Sequence, residues 1–276
     1  MQMINQFISI IKIVLFKDLL ITKKYKFNLV VSFFSVFFYL IIFLQFDKSF
    51  SFSSLAITER YDNNLFMFFL AGLIAIELSV VCANSIPMNI TFYQTSGMIE
   101  ELLDDRNTFF YLCIGSTILP IIRTIFKYVI FYIIAFFMIS DTKAELSSIF
   151  FLIIPIFIYA ISLIGIGLIA GALTIYYKRG NPIIQLNTLM VTILGGAFYP
   201  VESLTNFFQH ISNLVPGKHF IEISRNILTY NDYVAFIINK QIFILMIMGV
   251  FLMIIGRFVL KIAIEYSLQK DKLFDY

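Results

Sequence analysis

Three ionisable residues stand inside long apolar runs, where charge is rarely found. Glu77 lies in the run that starts at Asn64, while Arg123 and Lys127 lie one helical turn apart in the run from Phe109. A charge in mid-membrane costs at least about 2.5–3.5 kcal/mol on insertion scales, so it usually faces protein or water. Three interpretations are open: Glu77 pairs with Arg123 or Lys127, Arg123 lies at headgroup level, or the charges contact a substrate.

Polar and turn-forming residues also interrupt the apolar run that starts at Ile183. Polar side chains in an apolar helix either join it to its neighbours or line a polar path. A Gly-Gly pair permits a break or a close approach of helices, and the proline that follows prevents simple continuation. The candidate residues of such a path or its gate are Glu77, Arg123, Lys127, Asn187, Thr188, Thr192, Gly195, Gly196, Phe198, Tyr199 and Pro200.

Motifs for catalysis, metal binding or nucleotide binding are absent from the sequence. It contains neither G-x-S-x-G nor H-E-x-x-H, and Gly217-Lys218 lacks the upstream glycine of a P-loop. Residues 202–222 contain side chains that could bind a metal, but their spacing matches no compact metal-ligand motif: Glu202, His210, His219 and Glu222. We therefore expect no catalytic residue, no metal and no bound cofactor in this chain.

The composition indicates a protein whose solvent is largely lipid. Of the 276 residues, 60% are hydrophobic and 13% are charged, against about 25% charge in ordinary soluble domains. A net charge of +3 is too small to suggest a nucleic-acid partner. Runs of about 20 apolar residues span a bilayer core. We predict an all-α integral membrane protein with six spans, at residues 27–46, 64–86, 109–139, 149–176, 183–198 and 241–260.

The distribution of basic residues predicts the topology. Of the 20 Lys and Arg, 12 fall on the side of the two termini, six fall on the other side, and Arg123 and Lys127 lie within a span. The side with more Lys and Arg is expected to be cytoplasmic, so both termini are predicted to lie in the cytoplasm and the spans to cross the cell membrane. Residues 1–26 mix apolar and basic residues, which favours an interfacial helix on anionic lipid over a basic flank that only orients the first span.

Residues 176–225 carry the most distinctive pattern in the chain. A basic loop leads into an apolar helix that ends in Gly195-Gly196 and an aromatic-Pro pair, and an amphipathic stretch follows, with Pro216 and a final Arg225. This pattern resembles the signature of the ABC transporter type-2 permease family. The resemblance implies that residues 199–235 form an outer re-entrant helical segment, for which an ordinary outer loop is the alternative.

Residues 94–108 form a short acidic stretch between the second and third predicted spans. Gly97 and the residues after it resemble the helix by which permeases of this family dock on an ATPase. Apolar residues at helical spacing here could fill a groove on a partner or lie against the chain's own spans. The candidate coupling residues are Gly97, Met98, Ile99, Glu100, Glu101, Leu102, Leu103, Asp104 and Asp105.

The resemblance implies a single transmembrane domain that forms half of an exporter. The expected partners are two ABC ATPase subunits, which hold ATP and Mg, a second permease chain, identical or related, and membrane lipid. The implied cargo is amphipathic or lipid-like: a drug, peptide, lipid or glycolipid. Two alternatives are an integral-membrane enzyme that acts on lipid at Glu77, Arg123 and Lys127, and a non-catalytic membrane scaffold.

Overall fold

The computed structural model of the protein describes residues 2–27, 65–138, 147–177, 181–230 and 240–269, with single positions at 30, 31, 34, 38, 39, 41 and 42. In these ranges every regular element is helical. The elements are α1 (Gln2–Lys24), α2 (Leu65–Thr95), α3 (Ile99–Asp104), α4 (Arg106–Met138), α5 (Ser148–Tyr177), α6 (Asn181–Ile193), a 3-10 turn (Val201–Ser203), α7 (Asn206–Ser212), α8 (Pro216–Tyr230) and α9 (Lys240–Gln269). Most of the first predicted span, 27–46, lies outside the described residues.

Four of these helices, α2, α4, α5 and α9, are long and apolar enough to cross a membrane. They have 30–33 residues, which corresponds to about 45–50 Å at 1.5 Å per residue. The hydrocarbon core offers no hydrogen-bond partners, so the backbone must satisfy itself within each helix. The run predicted as a span at 183–198 is different: α6 has 13 residues, about 20 Å, and ends at Ile193.

Helix α2 continues well past the predicted end of its span at Ile86 and reaches Thr95. Its polar side chains do not end the helix, because they bond to the backbone one turn earlier. Asn89 Nδ2 donates to the Ser85 carbonyl at 2.9 Å, and Thr91 Oγ1 donates to the Pro87 carbonyl at 2.9 Å. The predicted boundary was placed where the residues become polar, but the helix extends into the segment assigned to the coupling loop.

Helices α2 and α5 form the centre of the bundle. Helix α5 packs along α9 and α2, while α2 also contacts α4, α6 and α8 and is the most buried of the four long helices. The α5–α9 contact is close: a Cβ atom built on Gly165 would lie 2.5 Å from the backbone carbon of Leu252. Glycine is needed there because any side chain would separate the two backbones.

Helix α1 packs along the first half of α4. The ring of Phe7 meets that of Tyr111 edge to face at 5.1 Å, and Ile10 and Val14 are buried. Val14 lies over Gly115 at ordinary contact distance. The opposite side of α1 is exposed and mixes apolar residues with Lys12, Lys23 and Lys24.

Candidate functional sites

The charges of α2 and α4 meet inside the bundle. Lys127 Nζ donates to Glu77 Oε1, and the Tyr128 hydroxyl donates to Glu77 Oε2 at 2.7 Å. The Lys127 side chain is 5% exposed, so the carboxylate neutralises an ammonium that has little access to solvent. The predicted pairing of Glu77 is thus confirmed, with Lys127 as its partner.

Arg123 has another partner, on α1. Its Nη2 donates to the backbone carbonyl of Asp18 at 3.3 Å. The neighbouring Lys17 donates to Asn89 Oδ1 at 2.9 Å and to the Tyr93 hydroxyl at 3.3 Å. Burial raises the pKa of the Asp18 carboxyl above its usual value, although Lys17 and Arg123 oppose that rise. These polar contacts join α1 to both α2 and α4.

The predicted coupling segment begins with a tight turn and a short helix. Gly97 has φ +71, and Met98 N donates to the Tyr93 carbonyl at 3.0 Å, which turns the chain from α2 into α3. The α3 side chains Ile99 and Leu103 are 3% and 1% exposed. They belong to an apolar cluster with residues of α2, α4, α5 and α9. Helix α3 is therefore fixed to the ends of the spans.

The apolar residues of the predicted docking segment are divided between the protein's own spans and the surface. Ile99 and Leu103 face the protein's own spans, which is the alternative considered for this segment. They have no surface to offer a partner, because the cluster covers them. Met98 is 48% exposed, Glu101 is exposed and Leu102 is partly buried. The side chains of Glu100 and Asp104 lie outside the described part.

Asp105, which was predicted as a docking residue, has a structural role at the start of α4. Its Oδ1 accepts from the backbone N–H of Asn107 at 3.1 Å and of Thr108 at 3.3 Å. These are free donors of the first turn of α4, so Asp105 is its N-cap. An aspartate directly before a long apolar helix is the sequence signal for this role.

The polar residues of α6 are only partly available for a path. Thr188 Oγ1 donates to the Ile184 carbonyl at 2.9 Å, and Thr192 Oγ1 donates to the Thr188 carbonyl at 2.8 Å. Asn187 is buried, and its Nδ2 has no hydrogen-bond partner within the described part of the chain. The two threonines thus satisfy themselves on the helix, whereas Asn187 keeps a free donor.

The Gly-Gly-aromatic-Pro sequence forms the turn that ends α6. Gly196 has φ +68, and the Tyr199 hydroxyl donates to the Ile193 carbonyl. Phe198 is 39% exposed, and its ring lies 6.4 Å from that of Phe69 on α2. After Pro200 the chain enters the 3-10 turn. The turn thus lies against α2.

Arg225, which is not among the predicted site residues, holds this turn. Its guanidinium lies 3.4 Å from the ring centroid of Phe68, and Nη2 donates to the carbonyls of Gly196 at 2.8 Å and Ala197 at 3.0 Å. The residue is 2% exposed. The sequence could have indicated this role by the position of Arg225. It lies four residues after the buried Ile221, and therefore on the apolar face of an amphipathic helix.

The two histidines and their acidic neighbours do not form a metal cluster. His219 Nε2 lies 3.0 Å from the Asn213 carbonyl, and burial lowers the pKa of the ring below its usual value. His210 Nδ1 lies 2.6 Å from the carbonyl of Asn206, one turn earlier. Within the described ranges, no three His, Cys, Asp or Glu side chains are close enough to hold a metal ion.

The sequence pattern and the helical bundle agree with a comparison against known families. The family model described as ABC-2 type transporter matches residues 9–229, which run from α1 to α8. No curated protein matches the chain. The matched range includes the Gly97 turn, the Glu77–Lys127 pair and the Arg225 contact. The chain is a multi-pass membrane protein and belongs to the ABC-2 type transporter family.

Proposed function

We propose that the chain is the membrane-spanning permease subunit of an ATP-driven exporter. Members of the ABC-2 family are transport subunits that typically work with ABC ATPases. On this proposal the complex has two ATPase subunits, which bind ATP and Mg, and two permease chains in the cell membrane. The apolar runs support six spans, and the distribution of Lys and Arg supports both termini in the cytoplasm.

The attachment of α3 to the ends of α2 and α4 carries this proposal. A partner that pushes on a loosely held loop moves only that loop. Here Ile99 and Leu103 fix α3 to an apolar cluster with four long helices, and Met98 and Glu101 face outward. Closure of the ATPase subunits would therefore move α2 and α4 together, since they are also joined by the ion pair of Glu77.

The path is proposed to lie between two permease chains. The crevice between α2, α4 and α5, lined by Leu78, Ile125 and Leu152 among others, has about 30 Å³ of free space. That volume suits one water molecule and is far too small for a cargo. Helix α6 has an exposed apolar face, with Leu186 and Leu189 more than half exposed, next to the spare donor of Asn187.

The outer segment is proposed to be re-entrant and to cap the path. Helix α8 packs against α2, α5 and α9, and its Phe220 and Ile227 are fully buried. Helix α7, which precedes α8, exposes Phe207. Leu214, between α7 and α8, is 75% exposed. An exposed outer loop would need no such packing. Residues 231–235, the end of this predicted segment, lie outside the described residues.

An amphipathic or lipid-like cargo fits the apolar faces that line this proposed path. The rival function, a membrane enzyme with Glu77, Arg123 and Lys127 as its polar site, is less favoured by the contacts. Glu77 is engaged by Lys127 and Tyr128, and Arg123 reaches α1. These three side chains therefore do not converge on one space where a substrate group would bind.

Co-purification with the ATPase subunit tests the proposed docking surface. Met98→Asp, combined with Glu101→Lys, should reduce the retained ATPase strongly while leaving the membrane yield of the permease unchanged. Ile99→Asp should instead lower the yield of folded permease, because it puts a charge into the apolar cluster.

Phe207→Asp provides the matched control, since it makes the same kind of change at an exposed residue of α7. We expect its ATPase retention to equal that of the unaltered chain. Full retention by the Met98 and Glu101 double variant would show that α3 is not the docking helix, and permease that never co-purifies with any ATPase would refute the proposed function.

A further inference from the structure

A basic groove of about 610 Å³ opens between the start of α4 and the second half of α9. Its polar wall carries three cationic side chains, Arg106, Arg257 and Lys261, and its apolar wall includes Phe110, Ile254 and Phe258. The volume lies within the range of small-molecule sites, about 300–1,000 Å³. The mechanism proposed above does not use this groove.

Helix α9 supplies both polar and apolar groups to the groove. Ile254, Phe258 and Lys261 lie at helical spacing on one face, and Arg257 and Lys261 are one turn apart. Ile254 and Phe258 are each 64% exposed. Ile254 lies nearest the middle of the helix, and Lys261 lies about 10 Å further toward the C-terminal end, with Arg257 and Phe258 between them and Ile264 beyond. A ligand that fits it has an apolar part toward the membrane centre and an anionic part at the surface.

The cations of the groove are only partly neutralised. Arg106 Nη1 lies 2.6 Å from Glu265 Oε1, and Lys261 Nζ lies 4.0 Å from the same oxygen. The guanidinium of Arg257 lies 4.8 Å from the ring centroid of Phe110, which orients the group but does not neutralise it. Among the side chains that the structure describes, the carboxylate of Glu265 therefore serves two of these cations, and the remaining positive charge favours an anion.

We infer that this groove binds an anionic phospholipid, with the phosphate at Arg257 and Lys261 and an acyl chain along Ile254 and Phe258. The charge selects an anion, and the apolar wall selects one that carries a hydrocarbon chain. The groove lies at the end of α9 that holds the polar residues, where headgroups are found. On the proposed orientation this is the cytoplasmic leaflet, whose lipids are often anionic.

Lipid binding by the purified full-length protein in detergent tests the inference. Phosphatidylglycerol is titrated and the bound fraction is read by native mass spectrometry, with phosphatidylcholine as the zwitterionic lipid. Arg257→Gln with Lys261→Gln should weaken the tightest phosphatidylglycerol site about ten- to thirtyfold. Each basic residue near an anionic lipid contributes about fivefold to the affinity, and the variant removes two of them.

Two further variants separate the groove from general surface charge. Lys240→Gln removes a positive charge from an exposed position at the opposite end of α9 and should leave that site within about twofold. Ile254→Trp fills the apolar part, retains every charge, and should also weaken the binding of phosphatidylglycerol. This variant keeps the test valid if the double Gln variant does not fold.

Four results would overturn the inference. The first is an equal loss in the Lys240 control, and the second is no loss in either groove variant. The third is inorganic phosphate that binds this site as tightly as the lipid, which would indicate a free-anion site. The fourth is a change from dimer to monomer in the groove variants, which would assign the surface to a second copy. None of these measurements depends on an ATPase, so they are independent of the proposed function.

Discussion

Buried charges in this protein join helices that are distant in sequence. Lys127 and Glu77 are 50 residues apart and connect α4 to α2, while Arg225 connects α8 to the turn after α6 across 28 or 29 residues. Each charge leaves water, but each gains an opposite charge or backbone carbonyls in return. The consequence is that single substitutions at these positions leave a partner unsatisfied.

Glu77→Gln should reduce the amount of folded protein in the membrane. It leaves the buried ammonium of Lys127 uncompensated. Removing one member of a buried ion pair lowers the free energy of unfolding by about 3–5 kcal/mol. Combining it with Lys127→Met removes both charges and should restore part of the yield. The exposed Glu202→Gln is the control. Unchanged yield for Glu77→Gln would refute a stabilising role of the pair.

Arg225→Lys should destabilise the protein by about 2 kcal/mol, since an ammonium cannot reproduce the stacking on Phe68 and both carbonyl contacts. The measurement is the temperature at which half of the purified protein leaves the monodisperse state. Arg106→Lys makes the same exchange in an exposed ion pair and should have little effect. Equal effects of the two would show that the buried contacts add nothing.

At the scale of elements, two glycine turns set how the helices meet. The Gly97 turn directs the chain from α2 into α3, and the Gly196 turn directs it from α6 toward the 3-10 turn. Both glycines have positive φ, a region that other residues avoid. Their surroundings differ, because a Cβ on Gly97 meets nothing within 4 Å, whereas one on Gly196 lies 2.7 Å from the Tyr199 carbonyl oxygen.

This difference predicts unequal effects of the same substitution. Gly97→Ala should cost only the backbone term, about 1–2 kcal/mol. Gly196→Ala adds a steric conflict with Tyr199 and Val201 and should cost clearly more. Thermal unfolding of the two variants in detergent, compared side by side, provides the measurement. A larger effect of Gly97→Ala would contradict the structural explanation.

At the scale of the whole molecule, the orientation in the membrane is set by the loops. The predicted topology places Lys48 and Lys143 outside the cell and Lys270 inside. All three positions lie outside the described residues. The native thiols of Cys82 and Cys113 are buried, so an impermeant thiol reagent should not reach them.

Cysteines introduced at Lys48 and Lys143 should therefore react with that reagent in intact cells. A cysteine introduced at Lys270 should react only after the cells are opened, which also shows that the position is reactive. Labelling is measured by the mass added to the purified chain. Reaction at 270 in intact cells would reverse the predicted orientation.

The sequence alone determined the properties that depend on neighbouring residues in the chain. Long apolar runs predicted membrane helices because length and hydropathy are local, and the pattern of residues 176–225 indicated the family. Helix boundaries were predicted less accurately: α2 extends to Thr95, beyond the predicted end at Ile86, because its polar side chains bond to their own helix. The short α6 is a second case. It ends at Ile193, before the glycine turn, but the apolar residues that follow made the run look like a longer helix.

Tertiary structure alone decided which side chains face each other. Spacing placed Arg123 and Lys127 on one face of α4, but only packing showed that Lys127 meets Glu77 and that Arg123 meets α1. Spacing also put Ile99 on an apolar face without showing what covers it, and it gave no sign of the groove beside Arg257. Periodicity defines a face of a helix, whereas the partner of that face depends on residues far away in the chain.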